Sequence, residues 1–169
     1  MNATLAAWNA ADEATALSAM IACCGARRWA RAMVALRPFE NAESLSLTAD
    51  EVWSTMEEPD WMEAFACHPR IGERKAAHAV PQSAAWSAQE QSSTKRAADP
   101  VLAELAAGNA EYEQRYGFTY IVCATGKSAE EMLAILNRRL AGSRETELRE
   151  AAEQQRLITQ IRLGKWLAE

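Results

Sequence analysis

Glycine and proline are scarce in this chain, 7 and 5 of 169 residues, which excludes a collagen-like, low-complexity or disordered polymer. Histidine is scarcer still, with two residues, and the four cysteines lack the paired spacing of a zinc site. Cys23 and Cys24 are adjacent, and Cys67 and Cys123 sit in apolar surroundings, so all four are expected to be reduced packing residues. No window approaches the roughly 18 apolar residues needed to cross a bilayer, so no membrane partner is expected. The N-terminus lacks a basic segment followed by an apolar run, and the expected compartment is the cytoplasm. Basic charge is in deficit, 18 Lys and Arg against 23 Asp and Glu for a net −5. Without a basic field to condense a polyphosphate, nucleic acid is not an expected partner.

What the chain does have is apolar surface, 49% of residues, beside 24% charged. Its length suits one domain over residues 1–169. Alanine is abundant, and glycine and proline cluster between segments, so the fold class is all-α: a single-domain bundle of roughly eight to nine helices. The patterns Thr48-Ala-Asp-Glu51, Ser87-Ala-Gln-Glu90 and Ser128-Ala-Glu-Glu131 each place a hydroxyl three residues before a carboxylate, the spacing of a capping box at a helix start. Pro59-Asp60 and Asp99-Pro100 mark two further starts. Stops are expected near Pro38, Pro69, Gly117 and Gly142. These signals predict helices near 5–10, 12–23, 27–37, 49–57, 60–67, 88–97, 100–116, 129–141 and 145–167. The longest irregular stretch, His68 to Trp86, exceeds ordinary connection lengths and is the first place to look for function. Phe118 to Cys123 has strand-like composition but no similar segment to pair with, so a buried extended strip without a sheet is expected.

Few residues are equipped for chemistry. His68 lies at a helix end, between Cys67 and Pro69-Arg70-Ile71-Gly72, where proline stops the helix and glycine permits a tight turn. That position suits either a catalytic imidazole or one that caps helix carbonyls. His78, in an Ala-rich part of the same stretch, has no companion ligands at metal-binding spacing, and no metal is expected. Glu90 reads locally as the second half of a capping box with Ser87. Arg162 falls on the inward stripe of Leu148, Ala151, Gln155 and Ile158, where a guanidinium needs an anion or several acceptors. An internal salt bridge, or snorkelling beside Trp166, would serve equally.

Taken in order, His68-Pro69-Arg70-Ile71-Gly72, Ser87-x-x-Glu90-Gln91, Tyr116-Gly117-Phe118-x-Tyr120-Ile121 and Ile161-Arg162-Leu163 resemble the motif series of the 2-oxo-4-hydroxy-4-carboxy-5-ureidoimidazoline (OHCU) decarboxylases. The resemblance runs over nearly the whole chain. Tyr116 and Tyr120 stand where phenylalanine is usual, and Ser92-Ser93 where Gly-Ala often follows. It implies an all-α homodimer that converts OHCU, a small molecule, to (S)-allantoin in purine breakdown. His68, Glu90 and Arg162 would be catalytic, and Pro69, Ser87, Thr119, Tyr120 and Ile121 would bind substrate. Eukaryotic members often end in a peroxisomal tripeptide, whereas this chain ends Trp166-Leu167-Ala168-Glu169, the pattern expected of a bacterial-type cytoplasmic enzyme.

The chemistry implied needs no cofactor, because electrons released with CO2 flow into the adjacent ring imine. An imidazole, with an ordinary pKa of about 6.5, suits proton transfer in both directions for His68. Glu90 would orient the ring through its N–H donors, and Arg162 would act where charge accumulates. Two other classes stay open on the residues alone. One is a non-catalytic helical interaction module. The other is a hydrolase using Cys67 or Cys123, although Cys67 and His68 are neighbours that would point apart.

Overall fold

The structure is a computed structural model that describes residues 2–73 and 79–169, so His78 and its metal reading lie outside the described residues. Nine α-helices, one 3-10 helix and no strand occur among the described residues. The helices are α1 (Ala3–Ala10), α2 (Glu13–Cys23), α3 (Arg27–Ala35), α4 (Ala42–Ser54), α5 (Glu58–Phe65), α6 (Pro81–Glu90), α7 (Asp99–Tyr116), α8 (Ala129–Arg139) and α9 (Arg144–Leu167). They fall into two compact units, one of residues 1–64 and 156–169, the other of residues 65–155.

Two of the three expected capping boxes are not caps. Thr48 lies inside α4, which begins earlier because Asn41 accepts the Ser44 amide at 2.8 Å and the Ser44 hydroxyl faces the Asn41 amide. That box satisfies the free first-turn amides, leaving Thr48 no cap to make. Ser87 and Glu90 lie in the last turn of α6, where the Ser87 carbonyl accepts the Gln91 amide. This helix starts at Pro81, whose missing N–H is no loss in a first turn. The helix expected over 88–97 is therefore the end of α6 plus a 3-10 helix over Ser92–Arg96. The irregular stretch likewise gives way to helix at Pro81, before Trp86.

Ser128 does cap α8, accepting the Glu131 amide at 3.1 Å while Glu131 accepts the Ser128 amide. Ser128→Ala should therefore cost about 1 kcal/mol in urea unfolding, and Thr48→Ala less than half of that. Equal losses would contradict this placement of the helix starts.

In the first unit, Leu5, Trp8, Met20, Trp29, Met33 and Leu45 are buried. Two of its buried indoles donate to backbone, Trp8 to the Ala16 carbonyl and Trp29 to the Ala49 carbonyl, each at 3.0 Å. Trp8 also meets the edge of Trp166 at 5.7 Å. In the second unit α7 packs on α8, and Phe118 joins Phe65, Tyr112 and Tyr116 in an aromatic cluster. Gly117 ends α7 in the left-handed region, φ 83°, a conformation that side chains with a Cβ resist.

Candidate active site

His68 follows α5 and is half-buried. Its Nε2 lies 2.6 Å from Oε1 of Gln155, a fully buried residue of α9. The turn that carries it is held from two helices. From α7, Glu113 grips Arg70 through two hydrogen bonds of 2.7 and 2.8 Å, and Asn109 donates to the Ile71 carbonyl at 3.1 Å. From the end of α6, the buried Gln91 accepts the Gly72 amide at 2.8 Å. Gly72 has φ 95°, so the tight turn expected of this glycine is present.

Gln91 adjoins Glu90, the half-buried last residue of α6. The same amide thus ties the backbone beside Glu90 to the turn that carries His68. Glu90 lines a cavity of about 770 Å³ together with Ser92, Ser93, Lys95, Arg96 and Lys127. That lining sets three cationic side chains against two carboxylates, Glu90 and Glu130, a net of one positive charge. Of the expected site residues only Glu90 is among its described lining. Pro69, in the turn after α5, and Ser87, inside α6, are both buried, and neither belongs to that lining.

Thr119 is half-buried, and Tyr120 and Ile121 are buried in a strip that is neither helix nor strand, and no strand occurs among the described residues. A buried polar cluster fixes this strip. Arg139, 4% exposed, donates to the Ile121 carbonyl and through Nε to Glu147 at 2.7 Å. Tyr112 donates to the same carboxylate at 2.8 Å. Burial works against the charged guanidinium, but the phenols of Tyr112 and Tyr120 and the Glu147 carboxylate outweigh it and hold Arg139 above the ordinary arginine range. Tyr116 and Tyr120 use their hydroxyls on α8, Tyr116 donating to the Gly142 carbonyl at 2.8 Å just past its end and Tyr120 to the Met132 carbonyl at 3.0 Å. Further along the strip the Cys123 amide donates to Gln154 of α9 at 2.8 Å.

Arg162 belongs to the other unit. It is 1% exposed, and Leu148, Ala151, Gln155 and Ile158 are buried with it, so the inward stripe of α9 is as its spacing predicts. Snorkelling is overturned, since that arrangement keeps the charged head in water. Near it, burial pushes the Cys23 thiol far above its ordinary range while Arg162 pulls the other way. All four cysteines are free thiols.

Sequence assigns no role to Arg139 or Gln154, and marks Gln91 only as a motif neighbour of Glu90 and Gln155 only as a member of the inward stripe. Gln155 stands on the apolar stripe of α9, and a buried amide there demands a partner.

The chain matches the family model of the OHCU decarboxylases over residues 9–164. It is 34% identical over 149 residues to the uric acid degradation bifunctional protein TTL of Arabidopsis thaliana, covering 87% of this chain but only 46% of that protein. The 2-oxo-4-hydroxy-4-carboxy-5-ureidoimidazoline decarboxylase of Amia calva is 27% identical over 127 residues, 75% of this chain and 73% of that one. A crystal structure of OHCU decarboxylase in the presence of (S)-allantoin superposes with a TM-score of 0.76 at 31% identity, covering 88% of this chain and 96% of the other. With a match of that extent, joined to the motifs around His68, Glu90 and Arg162, the chain belongs to the OHCU decarboxylase family.

Proposed function

We propose that this protein decarboxylates OHCU to (S)-allantoin in urate catabolism, without a cofactor. The observation that carries the reading is the family match over residues 9–164, which spans every motif residue from His68 to Arg162. It favours an enzyme over a non-catalytic helical module. That span also supports treating residues 1–169 as one decarboxylase domain.

The substrate has a hydroxyl and a carboxylate on one ring carbon and an imine at the next. Loss of CO2 breaks the bond to the carboxylate, and its electron pair forms a double bond between the two ring carbons. The imine pair moves to nitrogen, which takes a proton. The hydroxyl then yields its proton, and the carbon bearing the ureido group gains one. His68 handles protons at the hydroxyl and carboxylate-bearing carbon. As a carboxylate, Glu90 accepts hydrogen bonds from ring or ureido N–H groups and orients the ring. Pro69, Ser87, Thr119, Tyr120 and Ile121 form the substrate's surroundings, with the Arg139 cluster supporting the strip.

Arg162 acts on the ring oxygen or nitrogen that gains charge. A grip on the carboxylate alone would stabilise the ground state and slow the reaction. Its planar fork holds two acceptors where lysine offers a point charge. Arg162→Lys should lower kcat/KM at least about tenfold, or about 1.4 kcal/mol. Unchanged kinetics with a lowered Tm would make it a structural cation instead.

A cytoplasmic homodimer that binds neither nucleic acid nor membrane completes the proposal. The net charge of −5 supports the first exclusion, and no helix among the described residues is long and apolar enough to cross a membrane. The test is incubation with freshly prepared OHCU, following CO2 release and allantoin. Release no faster than in buffer would reject the reading.

A further inference from the structure

Gln155 makes its contact with His68 through a carbonyl oxygen, Oε1 to Nε2 at 2.6 Å. A carbonyl oxygen only accepts, so the hydrogen of this bond belongs to the imidazole. With Nε2 protonated, the lone pair of the neutral ring resides on Nδ1. Gln155 is 0% exposed, so water does not compete for its oxygen and the bond has the strength of a dry environment. The turn of α9 that carries it is pinned by its neighbour. Gln154 accepts the Cys123 amide at 2.8 Å and donates to Glu150 at 3.0 Å. Consecutive amides of one helix thus fix both the His68 ring and the backbone at the end of the strip. A neutral amide also orients the imidazole without adding a charge that would hold it protonated.

We propose that Gln155 is a positioning residue for His68, holding the neutral imidazole as the Nε2–H tautomer so that Nδ1 is the nitrogen that exchanges protons with substrate. This rests on the decarboxylase reading for its kinetic consequence, but the tautomer itself can be read without substrate.

The experiment is ¹⁵N NMR of the histidine ring nitrogens in the full chain, under mildly alkaline conditions where imidazoles are neutral, with a His78→Asn variant to assign His68. The wild type should show the Nε2–H pattern. Gln155→Met keeps the side-chain length but removes the carbonyl acceptor, and should give mixed tautomers. Its kcat should fall at least about tenfold with KM within about twofold, as expected when a proton-transfer group is present but wrongly poised. Gln155→Glu retains an acceptor oxygen at the same reach and, at a pH raised enough to neutralise the ring against the added charge, should keep the Nε2–H pattern. A Gln155→Met protein that loses turnover while His68 stays Nε2–H would overturn the proposal, as would one that keeps wild-type kcat. Wild-type His68 found as the Nδ1–H tautomer would overturn it even if neither variant folds. Absence of OHCU turnover in the wild type would count against the decarboxylase reading, while the spectra would still decide what Gln155 does.

Discussion

Glu147→Gln is expected to lower the free energy of unfolding by about 3–5 kcal/mol. The substitution keeps the volume and still offers an oxygen to Tyr112, which now donates to the carboxylate at 2.8 Å. What it removes is the charge opposite Arg139, and Glu147 is only 3% exposed. Water cannot replace that partner, so a buried guanidinium is left with the Ile121 carbonyl, the Tyr112 hydroxyl and two ring faces at 5.0 and 5.6 Å. Neutral acceptors and cation–π contacts recover part of the loss and not the whole of it. An exposed pair provides the control. Glu145→Gln breaks the contact with Arg149 on the solvent side of α9, and should change stability by less than about 0.5 kcal/mol. Urea unfolding distinguishes the two, and a Glu147→Gln loss under about 1 kcal/mol would mean that the buried charge is relieved elsewhere.

The second large effect is on activity. Glu90→Gln should fold with a wild-type Tm and lose at least about a hundredfold in kcat/KM, the scale of removing one well-placed polar group from a reacting centre. Glutamine retains an acceptor oxygen but carries two N–H donors where the carboxylate carried none, so one side of the ring would meet a donor facing a donor. The placement of Glu90 sharpens this expectation. It ends α6, so it makes no capping box whose loss could lower stability and mimic a functional defect. Wild-type turnover in this variant would remove Glu90 from the site.

Much of the fold could be read from short-range signals because helices depend on them. Asp99-Pro100, Gly117 and the Ser128 box each act within one turn, and α7 and α8 begin or end at those residues. Thr48 and Ser87 misled because the same hydroxyl-to-carboxylate spacing also occurs inside a helix, where both residues are merely neighbours one turn apart. The competing signals, Asn41 with Ser44 and Pro81 at a first turn, were equally local. The proposed site was legible only as candidate motif residues, His68, Glu90 and Arg162. What orients them was not, because Gln155 meets His68 across 87 positions and Gln91 meets Gly72 across 19. Such pairings are set by how helices pack, and no local pattern carries them. The buried Arg139–Glu147 pair, eight positions apart, was hidden differently, since two charged residues flanking a glycine-containing helix junction ordinarily stay in water.

The central claim is that this chain both removes CO2 from OHCU and holds the intermediate while one face is protonated. Released into water, the planar intermediate would take its proton on either side. Circular dichroism of the product, recorded before spontaneous racemisation, therefore tests the claim most directly. The account predicts an excess of (S)-allantoin that grows in step with CO2; racemic allantoin forming as fast as CO2 evolves would contradict it.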